Sequence, residues 1–140
     1  MKKYKKGQKS IGKVSWELDP EIRKRTKKLI EVLDLNWLTF DRIFFYRSQN
    51  SKARAYARTW GLPNLWQRTL NVPPAYMVEV ISEHFDKLSE KEQDKVLLHE
   101  LTHIPKNFSG ALIPHTRHKK GSFHDRLEIL IEQYHASQRF

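Results

Sequence analysis

Residues 89–105 read SEKEQDKVLLHELTHIP, and the fold and the chemistry both hang on how this stretch is read. Ser89-Glu90-Lys91-Glu92 is a capping box, S-x-x-E, in which a serine hydroxyl satisfies an orphan amide at a helix start. The helix it opens is expected from Glu90 to about Ile104, because Pro105 cannot continue one. Val96, Leu97, Leu98 and Ile104 supply an apolar underside. His99 and His103 then stand one turn apart, so both imidazoles leave one face roughly 6 Å apart and can converge on a single ion. Glu100, offset by about 100° around the helix, can reach a water on that ion without taking a coordination position. A zinc ion brings such a water's pKa towards ~7, and a carboxylate beside it can take the proton and pass it to a leaving amine. The plainer alternative is a surface helix with two unrelated histidines. Such a helix usually carries charges between them, where this one has Leu101 and Thr102.

The chain contains no cysteine, which excludes disulfides, thiolate zinc sites and cysteine nucleophiles. Any metal must be held by His, Asp or Glu. A catalytic zinc needs a third protein ligand and an open fourth position. The metzincin continuation x-x-G-x-x-H is missing, since Lys106 and Ser109 occupy the glycine and histidine places. Downstream, the loop KNFSGALIPHTRHKKG over 106–121 offers His115 as first choice, with Ser109-Gly110 allowing the chain to fold back on the helix. His118, His124 and Glu128 remain rivals for the position.

Working outward, Asp19-Pro20-Glu21 marks another helix start, with Asp19 as N-cap and Pro20 at the first helical position. Ile22, Thr26, Leu29, Ile30 and Leu33 form one stripe to be buried on a basic helix. Arg42 to Arg47 has the aromatic and β-branched content of a strand, and Ser48 to Ser51 supplies a turn. Ala53, Ala55 and Ala57 alternate with Arg54, Tyr56 and Arg58, which suggests a second strand ended by Gly61-Leu62-Pro63. A short helix is expected over Asn64 to Leu70. AYMVEVI, 75–81, is the best strand, with Tyr76, Val78 and Val80 on one face. A closing helix from about Ser122 should bury Leu127, Leu130, Ile131 and Tyr134. The expectation is an α+β domain: a small, mostly antiparallel sheet against the H-E-x-x-H helix, with an N-terminal and a C-terminal helix.

At 140 residues one core suffices, and the expected organisation is a basic flexible tail over 1–13 and a single domain over 14–140. No window approaches the roughly 18 apolar residues of a membrane span, and the N-terminus lacks the apolar core of a secretory signal. A soluble, cytoplasmic protein without membrane contact is expected. Net charge is +10, and residues 1–30 hold eleven Lys or Arg against three acids, giving +8. A basic arm of this kind is drawn to polyanions by counterion release, although the same pattern also describes a solvated tail.

HELTHIPKNFSGALIPH resembles the phage metallopeptidases, a family of archaea and phages whose mark is HEL-x-HIP, a Gly-containing loop and a Pro-His or similar pair. SKARAYARTWGLPNLWQ and YMVEVISEHFDKLSEKEQDKVL also look like that family, so the resemblance spans about Trp37 to Tyr134. It implies a zincin-like fold and carries over His99, Glu100 and His103. More distantly the chain is similar to SprT-type proteases, where a third histidine follows a longer loop, which favours His115. The reading is therefore a zinc metalloprotease with His99, His103 and His115 as ligands and Glu100 as general base, acting on a protein or peptide substrate. In zincins the substrate lies along a sheet edge, and 75–81 is the expected edge strand. Arg117, His118 and Arg47 are candidate oxyanion stabilisers. The rival is a basic nucleic-acid-binding protein with a structural zinc and no protease activity. The two combine in a protease acting near nucleic acid.

Overall fold

A computed structural model describes residues 12–114 and 123–138, with side chains in the last helix from residue 125. The elements are β1 (Ser15–Leu18), α1 (Pro20–Val32), β2 (Ile43–Gln49), β3 (Ala57–Gly61), α2 (Asn64–Leu70), β4 (Tyr76–Ile81), α3 (Ser82–Phe85), α4 (Glu90–Leu101) and α5 (Phe123–Ser137). The four strands form one sheet in the order β1-β2-β4-β3. β1–β2 and β4–β3 pair antiparallel and β2–β4 parallel, so the sheet is mixed and mostly antiparallel, within an α+β fold.

Local chemistry starts the helices where the sequence places them. Asp19 caps α1, its Oδ1 accepting from the amides of Glu21 and Ile22 at 3.1 and 3.0 Å, and Pro20 needs no partner at the first position. Ser89 caps α4 by accepting from the Glu92 amide at 3.2 Å. The period-two faces of the strands do the rest. Ile43, Phe45, Ala57, Tyr76, Val78 and Val80 point to one side and are buried against Ile22, Leu29 and Ile30 of α1 and Leu97, Leu98 and Leu101 of α4. Leu127 and Ile131 of α5 complete this core.

Several expectations need correcting. The strand at 75–81 is not an edge: β4 lies between β2 and β3, and the edges are β1 and β3. Its near-continuous burial is what a central strand requires. The second strand begins at Ala57 rather than Ala53, because its ladder can start only where β4 ends. The Ile81 amide donates to Tyr56 O at 2.9 Å, and α3 takes the chain away directly afterwards. β1 was not foreseen. α4 stops at Leu101, with 103 and 104 continuing as a tightened turn: His103 N to Glu100 O and Ile104 N to Leu101 O, both 3.1 Å. Leu130 is exposed on α5, while Leu127 and Ile131 are buried. No helix among the described residues is long and apolar enough to cross a membrane.

Candidate metal centre

Three elements meet at His99. α4 supplies His99 and Glu100, the turn after it His103, and the edge strand β3 the floor. The His99 and His103 rings lie 5.1 Å apart, nearly perpendicular, and donor atoms of His99, Glu100 and His103 all fall within 4.8 Å of one another. That is the spacing of groups able to share one ion.

His103 is held from both sides by a residue ten positions later. Its Nδ1 lies 2.7 Å from Ile113 O, and because a carbonyl only accepts, Nδ1 must carry the proton. Nε2 is thereby left as the lone-pair nitrogen, the tautomer that metal-binding histidines are given by a carbonyl on their other nitrogen. The backbones pair as well, with Ile113 N donating to His103 O at 2.8 Å. The loop does return to the helix, and Ile113 stands two residues before His115.

The loop is pinned along its length. Tyr76 Oη donates to Ala111 O and accepts from the Gly110 amide, both at 2.7 Å. Gln67 Nε2 donates to Leu62 O and Ser109 O at 2.8 and 2.9 Å. Gly110 has φ +99°, and a Cβ there would sit 2.3 Å from Gln67 Nε2 and 2.4 Å from Leu62 O. The glycine is demanded twice, by conformation and by space.

Glu100 is only 7% exposed. Burial pushes its carboxyl above the usual carboxylate range, against the opposing Thr59 hydrogen bond and the nearby His103. Thr59 Oγ1 reaches both Glu100 Oε1 at 2.8 Å and Glu100 O at 3.2 Å, tying the edge strand to the carboxylate. Sequence reasoning missed Thr59, since no spacing rule links positions 59 and 100. An open groove of about 620 Å³ runs past the site, lined by Arg54, Tyr56, Lys95, His99, Glu100 and Glu128 among others.

Of the third-ligand candidates, Glu128 is therefore on the groove wall. His115 and His118, with Arg117, lie outside the described residues, as does the side chain of His124. Arg47 is not at the site. It sits on β2, its Nε donating to Asp19 Oδ2 at 2.8 Å and its Nη1 to Asp86 Oδ1 at 2.5 Å. Those contacts, outweighing the cost of burial, raise its pKa further. His135 pairs with Asp94 at 2.8 Å, a link that clamps α5 to α4.

Paired imidazoles, one with its tautomer set, beside a buried carboxylate make a candidate metal centre of the H-E-x-x-H kind. The chain belongs to the family described as "Putative phage metallopeptidase", whose family model matches residues 14–128. That description is of a metal-dependent peptidase. No curated protein and no solved structure matches the chain.

Proposed function

We infer that this chain is a zinc-dependent metallopeptidase of zincin-like construction, with residues 14–140 as its domain and the cytoplasm as its compartment. The observation that carries the reading is the His103–Ile113 lock, which leaves Nε2 as the lone-pair nitrogen in a group whose donor atoms lie within 4.8 Å of one another. Two neutral imidazoles without thiolate suit borderline-soft Zn²⁺. Bound zinc would acidify a water and polarise the scissile carbonyl. Glu100 would take the proton of a water held there and return it to the leaving amine; a carboxyl lifted by burial is suited to both halves of this transfer. Thr59 orients the carboxylate. β3 offers its open edge to an extended peptide, which would pair through backbone hydrogen bonds while its side chains enter the groove. Arg54 and Tyr56, on the groove wall, take the place of Arg47 as oxyanion-stabiliser candidates.

His115 is proposed as third ligand because the chain is anchored at Ile113, within reach of the turn. His118, His124 and Glu128 are the rivals. The test is hydrolysis of a fluorogenic peptide library by zinc-loaded protein. Cleavage should be abolished by chelation, restored by zinc, and reduced about 10²-fold or more by Glu100→Gln. Full activity in Glu100→Gln would refute the mechanism. The +8 charge of residues 1–30 favours one second reading, a nucleic-acid-binding protein with a closed structural zinc. Four protein ligands on the metal would support it.

A further inference from the structure

The side of the sheet facing away from the helices is aromatic, and much of it is exposed. β1 sends Trp16 and Leu18 there, β2 Phe44 and Tyr46, β4 Met77 and Glu79, and β3 Arg58 and Trp60, as the register Leu18–Tyr46–Glu79–Arg58 and Phe44–Met77–Trp60 dictates. Trp16 is 54% exposed, Trp60 45% and Met77 42%. A soluble surface rarely concentrates such residues without a ligand.

At the centre Glu79 is 1% exposed. Its Oε1 accepts from Trp60 Nε1 and Arg58 Nε, both at 2.9 Å, and its Oε2 from Trp16 Nε1 at 3.2 Å. The buried carboxylate therefore gathers two indoles by their N–H edges. With those donors consumed, what remains for a ligand in the adjoining cavity of about 280 Å³, lined by Trp16, Tyr46, Trp60 and Met77, is ring surface. Cations flank it: Arg58 lies 4.9 Å over the Trp60 ring and Arg42 5.9 Å over Phe44. A flat, π-rich ligand fits the cavity, and a net charge of +10 selects one carried on a polyanion. The same charge repels a second copy of the chain.

We propose that the outer sheet face is a stacking platform for a single nucleic-acid strand, with Trp16 and Trp60 as base-stacking residues and Arg42 and Arg58 at its flanks. The proposal is independent of the metal site, which lies on the opposite side of the sheet. It differs from attraction by the basic arm, because stacking is nearly insensitive to salt whereas counterion release is not.

The test is fluorescence anisotropy with a labelled thymidine oligonucleotide of about 15 residues, in about 50 mM and about 200 mM salt. Wild-type protein should bind. Trp16→Ala and Trp60→Ala should each weaken binding roughly 5- to 100-fold by the same factor at both salt concentrations, and Trp60→Phe should recover most of the loss. Met77→Glu changes a side chain that is 42% exposed and lies outside the hydrophobic core, and should weaken binding by at least about 5-fold through the charge it adds to the platform. Folded Trp variants, or Met77→Glu if they do not fold, that bind like wild type would overturn the proposal. So would a wild type that ignores the oligonucleotide at the lower salt, which would leave the face to an apolar protein partner.

Discussion

Single atoms decide how this site is set up, and the clearest case is a buried carboxyl that the fold would rather not ionise. Burial raises the Glu100 pKa, so the folded metal-free protein binds its proton more tightly than the unfolded chain. Stability from that group is complete below the unfolded value and falls as pH rises through the raised one. Glu100→Gln should therefore raise the melting temperature of metal-free protein at neutral pH and leave it unchanged below about pH 4. A melting curve unaffected at neutral pH would contradict the burial argument. Glu79 has the opposite sign. Burial alone would lift it, but the Ser48 hydroxyl beside it, the Arg58 and Trp60 hydrogen bonds and the Arg58 charge prevail and lower it. Its contribution is present above the ordinary carboxylate range and lost as pH falls through the lowered value, so Glu79→Gln should flatten the acid side of the stability profile. Thermal melts across that range check this. His99, Glu100 and His103 were legible because i, i+1, i+4 spacing on a helix is a local property. Thr59 and Ile113 were not. Each meets the site through tertiary packing, and a backbone carbonyl has no residue-type signature.

Elements carry the next level, where the loop after α4 must be brought back to the helix. Tyr76→Phe removes one donor and one acceptor that bridge Ala111 and Gly110. The expected cost is about 1–3 kcal/mol for the unpaired partners, with weaker zinc retention measured by chelator competition. Gly110→Ala should be more damaging, since the Cβ collides with Gln67 and Leu62 at a positive φ. Zinc affinity like wild type in both variants would show that the loop does not serve the site. The capping box and the Asp-Pro start were readable because helix initiation needs only neighbouring residues. The edge strand was misplaced because strand order is set by the sheet. AYMVEVI has the strongest β composition for the very reason that it is central, while β3, with its Arg-Thr-Trp, looks weaker and lies at the rim. β1, four residues of SWEL, is held by its ladder with β2 and has no periodicity long enough to read.

At the scale of the molecule, one sheet separates two surfaces of different character: helices, core and candidate metal centre on one side, an aromatic and cationic face on the other. Deleting residues 1–13 should leave the metal site intact, because the segment has few apolar residues to bury, while reducing the salt dependence of any nucleic-acid binding. Unchanged salt dependence would move the electrostatic contribution to α1. The third ligand is tested by replacement: His115→Ala should weaken zinc about 10²-fold or more, while His118→Ala and His124→Ala should not. The most direct test of the central claim is the zinc content of natively purified protein, determined by mass spectrometry for wild type, Glu100→Gln and His103→Ala side by side. The account predicts about one zinc per chain in wild type and in Glu100→Gln, and almost none in His103→Ala. Wild-type protein that holds no zinc and takes none up, or a His103→Ala variant that keeps its metal, would contradict it.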